Sequence, residues 1–136
     1  MNILTVFVFT LAIAATRCSI LENETIEERK SKFVKFYKCI SCEYETEAFW
    51  EYTECKKLKS QKSTEIFGKC KDRYISQANN EEEDMIEICK NPEVLGKMFD
   101  CLVAETEATG LTEEEKESLE SFIRCARSVY KSHCKE

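Results

Sequence analysis

The chain has 136 residues, 34% of them charged, with a formal net charge of −6 and a mean hydropathy of −0.44. That length allows one domain, and the acidic balance is unsuited to nucleic acid or to an anionic lipid surface. Three glycines and one proline leave few obvious turns, while nine cysteines are many for the length.

The first stretch, Ile3 to Ala15 (ILTVFVFTLAIAA), is an apolar run of 13 residues. It suits the core of a secretory signal peptide and is too short to span a bilayer as a helix. Ala12-Ile13-Ala14 offers a small-residue cleavage pattern, and Cys18-Ser19 a later one. Cleavage after Cys18 gives a signal peptide over 1–18 and one disulfide-rich helical domain over 19–136. No second apolar run follows, so we expect a secreted, extracellular product without an integral membrane segment. Removing residues 1–18 takes one cation, Arg17, from 20 against 26 acidic residues, so the charge falls from −6 to −7. Cleavage after Ala14 or Ala15 would instead keep Cys18 as an odd thiol able to join two chains. Asn23-Glu24-Thr25 is the one N-x-S/T sequon, which makes Asn23 a candidate glycosylation site.

From there charged and apolar residues interleave at helical spacing. Thr25 with Glu28 forms a capping-box pattern that opens a first helix. Phe33, Tyr37, Ile40 and Tyr44 make its apolar stripe. A second helix is expected over about Glu47–Leu58 with Phe49, Tyr52 and Cys55 inward, then a loop over Lys59–Ser63. A third runs over about Thr64–Ser76 and buries Ile66, Phe67, Cys70 and Tyr74. Asn79-Asn80 breaks the pattern, and Asn80 with Glu83 opens a short helix that buries Met85, Ile88 and Cys89. Its acidic first residues, 81–84, suit the positive end of a helix. Asn91-Pro92 restarts the chain as an N-cap followed by proline. Val94, Leu95, Met98, Cys101 and Leu102 form the next apolar face, which ends at Thr109-Gly110. Thr112 with Glu115 is another capping box, before a long helix with Leu119, Phe122, Ile123, Ala126, Val129 and Tyr130 on one side. The reading is all-α: a small disulfide-stapled bundle of about five to six helices.

Without Cys18 the cysteines are Cys39, Cys42, Cys55, Cys70, Cys89, Cys101, Cys125 and Cys134. An even, dense set in a secreted chain reads as a framework of four disulfides. They fall on the inward stripes, so the bridges tie helix to helix. Proximity in the chain favours Cys55–Cys70 and Cys89–Cys101, with Cys39 and Cys42 meeting Cys125 and Cys134.

A redox dithiol at Cys39-Ile40-Ser41-Cys42 needs a preceding strand and a helix N-terminus, and this pair lies deep in a helical pattern. Zinc needs a second pair of ligands. His133 has no nucleophile beside it, and the acidic runs lack the alternation and glycine of a calcium loop. We therefore expect neither an enzyme nor a metal or cofactor. The aromatic residues are denser than a core stripe needs: Phe33, Phe36, Tyr37, Tyr44, Phe49, Trp50 and Tyr52 crowd one segment. Phe36 and Trp50 fall off the main stripes. With Met98 and Phe122 they are the candidate contacts to a ligand or partner.

Cys39-x2-Cys42 with the terminal Cys125 and Cys134 resembles saposin-like helical bundles, and Cys125-x8-Cys134 resembles the ending of insect odorant-binding proteins. Cys55 and Cys70 have no place in the first pattern, and the C-x3-C pair of the second is absent. In style, the chain resembles the small cysteine-rich helical proteins that arthropods secrete in venom and saliva. That resemblance implies an effector directed at an unknown extracellular protein. The other two imply a carrier of small hydrophobic ligands, or a saposin-like lipid-interacting protein.

Overall fold

A computed structural model describes residues 23–75 and 80–134. The leader expected over 1–18, Cys18 and Asn79 lie outside the described residues. The described residues form six helices: α1 Ile26–Cys42, α2 Glu47–Lys56, α3 Gln61–Tyr74, α4 Glu81–Lys90, α5 Val94–Thr109 and α6 Glu113–His133. No strand occurs among the described residues.

The helix starts follow local chemistry. Helix N-termini leave unpaired backbone N–H groups that a side-chain oxygen can satisfy. Thr25 accepts from the Glu28 N–H, Asn80 from Glu83, and Thr112 from Glu115. At Thr112 the box is complete, because the Glu115 carboxylate accepts the Thr112 N–H at 2.9 Å. The stretch expected as a loop over Lys59–Ser63 is shorter. Ser60 caps α3 by accepting from the Ser63 N–H, so Gln61–Ser63 are already helical. Pro92 does not occupy the first position of α5. Asn91 to Glu93 make a turn, with the Val94 N–H donating to Asn91, and α5 starts at Val94. α5 ends at Gly110, whose φ of 73° is a conformation that glycine adopts without a Cβ clash.

α1 is the central element, packed against α2, α4, α5 and α6. α3 lies along α5, and α2 along α6. The core draws buried residues from α1 (Phe36, Tyr37, Ile40), α2 (Phe49, Tyr52, Cys55), α4 (Met85, Ile88), α5 (Leu95, Met98) and α6 (Phe122, Ala126, Val129).

Four disulfides link the helices: Cys39–Cys134, Cys42–Cys89, Cys55–Cys125 and Cys70–Cys101. The pairing expected from chain proximity is corrected. Cys55 does not meet Cys70, Cys89 does not meet Cys101, and Cys42 turns to α4 and not to the last helix. The most extensive helix pairs in space are not neighbours in sequence here. α2 lies along α6, which carries Cys125, and α3 lies along α5, which carries Cys101. No helix among the described residues is long and apolar enough to cross a membrane.

Candidate functional site

The four residues read from the sequence as contacts separate into two groups. Phe36, Met98 and Phe122 are buried in the core. Phe36 escaped the helical stripe because α1 has partners on several sides, so its apolar arc is wider than one stripe. Trp50 is 60% exposed, more than any other large apolar side chain described.

Trp50 is the outer end of a train of aromatic rings. Its ring centre lies 6.4 Å from that of Phe49. Phe49 stands 4.6 Å from Tyr44 and 6.0 Å from Tyr52. Tyr52 then reaches Phe36 at 5.5 Å, Tyr37 at 5.7 Å and Phe122 at 6.4 Å. Edge-on and tilted rings at these separations attract beyond the area they bury. At the centre the Tyr52 hydroxyl donates to the Tyr37 hydroxyl at 3.1 Å. Burial raises the pKa of both phenols, so neither ionises at ordinary pH.

Around Trp50 the surface is acidic. The segment 43–54 (EYETEAFWEYTE) presents Glu43, Glu45, Glu47, Glu51 and Glu54, all exposed, and no Lys or Arg. On α2 the spacing places Glu47 three residues before Trp50 and Glu54 four after it, on the same side. Glu51 pairs with His133 at 2.6 Å and Glu54 with Lys57 at 2.8 Å. Glu43, Glu45 and Glu47 have no cation partner among the described residues. α4 adds Glu81 and Glu82. Partial burial, then Glu82, Glu45 and Glu81, raise the pKa of Tyr44 between them. Leu58, 46% exposed, follows two turns after Trp50.

Lys56 of α2 pairs with Glu81 at 2.5 Å, and other cations pair with acids outside 43–54. Lys30 pairs with Asp100, and Lys69 and Arg73 with Glu105. Lys32 and Arg127 pair with Glu24, and Lys71 with the buried Asp84. Hydrogen bonding by Lys69 holds the Glu105 carboxyl below its ordinary pKa. Burial pushes the Glu24 carboxyl up, and Lys32 with Arg127 outweighs it, so the net shift is down.

Lys59 lies in the stretch expected as a loop. Its Nζ lies 4.5 Å from the centre of the Phe67 ring and 4.9 Å from that of Phe122. No carboxylate pairs with it among the described residues. Burial, with nearby Lys56, pushes its pKa down to about 8. Nothing in a polar Lys-Ser-Gln-Lys-Ser stretch signals this, because both rings arrive from distant elements.

No grouping of His, Cys, Asp and Glu that could hold a metal ion occurs among the described residues. Asn23 is exposed, in front of the Thr25 cap.

The family described as Hi1a-like: U10-hexatoxin-Hi1a matches residues 27–135. That span includes all four disulfides. U10-hexatoxin-Hi1a from Hadronyche infensa is 28% identical over 131 residues, which cover 96% of this chain and 96% of that protein. No solved structure matches the chain.

Proposed function

This chain belongs to the Hi1a-like family, and from that premise we propose that it is a secreted, non-enzymatic effector of the venom kind that acts by binding an extracellular protein. It is a toxin-like, cysteine-rich chain with helices and disulfides as its framework. The observation that carries the reading is the match over 27–135, which takes in the whole disulfide framework and not one motif. Cross-links of this density suit a protein that must hold its shape in fluid outside the cell. A target-binding role fits a rigid body with an aromatic side chain standing on its surface. The proposal includes cleavage after Cys18 and glycosylation at Asn23. The intact mass of the secreted product, before and after removal of N-glycans, reads both.

The test is made with oxidised, secreted protein on an insect nerve–muscle preparation. A binding effector gives a dose-dependent block that scales with occupancy, and its labelled form binds the tissue membranes saturably. Saturable binding is lost when the membranes are first treated with protease. An effect that grows with time at substoichiometric dose would contradict the non-enzymatic reading. A strong response of an apolar fluorescent probe, with no tissue binding, would favour a carrier.

A further inference from the structure

We propose that the outer face of α2, centred on Trp50 and bordered by Glu43, Glu45 and Glu47, is the docking surface for a protein whose contact patch is basic and holds an apolar pocket for the indole. The inference rests on the proposed protein-directed function and names the face that carries it.

Three observations converge on this face. Trp50 leaves most of its ring in water although the core beneath it is aromatic and dense. Exposure of a tryptophan has a solvation cost that burial against a partner removes. The indole also stands on a packed base: Phe49 lies edge-on to it, and Phe49 packs against Tyr44 and Tyr52. Finally, the surround chooses the occupant. Five exposed glutamates and no Lys or Arg lie within 43–54, three of them without a cation partner among the described residues, and Glu82 of α4 adds to the same field at Tyr44, while Glu81 is paired with Lys56. Such a surface attracts Lys and Arg and repels anionic lipid. It also repels its own copy, because a two-fold contact would bring two acidic borders together. Of the other exposed apolar side chains, Leu58 follows α2, while Ile26 and Ile86 lie apart on α1 and α4 and are less exposed than Trp50.

Trp50 is the single tryptophan of the chain, so its fluorescence reports this face alone. With each quencher normalised to its effect on free N-acetyltryptophanamide, caesium, a cation, is expected to quench it at least about twice as strongly as iodide, because carboxylates concentrate the cation. The triple change Glu43→Gln, Glu45→Gln and Glu47→Gln should narrow the difference. In binding to insect nerve-cord membranes, Trp50→Ser should lose at least about tenfold in affinity. Ile26→Ser, a change at another exposed apolar side chain, should bind as the parent does. Far-ultraviolet circular dichroism of each variant confirms an unchanged fold. Normalised iodide quenching equal to or above that of caesium overturns the proposal, and so does Trp50→Ser binding like the parent. Binding that survives protease treatment of the membranes also overturns it, since the occupant would then not be a protein. Parent protein without any saturable binding overturns the functional reading itself, whereas loss confined to the Ile26 variant would move the docking face to α1.

Discussion

Lys59 shows how one side chain can work against a fold and remain in it. Its ammonium is partly desolvated and faces two rings instead of a carboxylate. Ring faces attract a cation by about 1 kcal/mol, whereas a fall from 10.5 to about 8 corresponds to on the order of 3 kcal/mol disfavouring the charged folded form. Because the folded pKa lies below the unfolded one, the cost is full below pH 8 and is relieved as pH rises toward the unfolded value. Stability should therefore increase between about pH 8 and 9.5, before the raised tyrosine pKa values begin to oppose it above pH 10. Lys59→Met should stabilise by about 1–2 kcal/mol at pH 7 and flatten that rise, as read from urea midpoints at pH 7 and 9.5. Glu45 is a second local cost. Its φ of 68° places a glutamate in the left-handed region, which disfavours non-glycine residues by about 1 kcal/mol. Asparagine tolerates that region better, so Glu45→Asn should raise stability by about 0.5 kcal/mol in a thermal melt. Neither feature was legible beforehand. Exposure of Trp50 was half legible, because its place off the stripe marked it. Phe36 carried the same mark and is buried, and only the number of helices around α1 separates the two.

Helix positions were legible where a cap announces them. Thr25, Asn80 and Thr112 each bond the N–H three residues on, as their spacing implies. Ser60 was missed because Ser63 returns no carboxylate to complete the pattern. Pro92 misled because a proline fits a turn as well as a first helical position. The box at Thr112 carries the most consequence, since Glu115 also binds Lys62 from α3 at 3.2 Å. Donation by the Thr112 N–H, followed by Lys62, holds the Glu115 carboxyl below its ordinary pKa. Thr112→Ala should cost about 1 kcal/mol, seen as a lower urea midpoint at neutral pH. The contribution of the Glu115 carboxylate is present above its unfolded pKa near 4.5 and is lost as pH falls through the depressed folded value.

At the scale of the whole molecule, the even cysteine set and the all-helical pattern were readable, but the pairing was not. Chain proximity favoured short loops, whereas the observed sequence separations are 95, 47, 70 and 31. In the chain-entropy account each such link stabilises by about 4–5 kcal/mol taken alone. Access differs among them. Cys42 is exposed and Cys89 partly so, while Cys55, Cys70, Cys101 and Cys134 are buried. Reduction in mild thiol should thus open Cys42–Cys89 first, as alkylation and peptide mass mapping would show; early opening of Cys55–Cys125 would contradict this. The links also have a topological order. Cys70–Cys101 lies inside the span of Cys55–Cys125, which lies inside that of Cys39–Cys134, and Cys42–Cys89 cuts across the inner two. A backbone nick anywhere between residues 39 and 134 therefore frees no fragment: the severed halves stay tethered, one band on a non-reducing gel and two after reduction. A body closed in this way can be clipped by the proteases of a wound or a gut and still arrive whole.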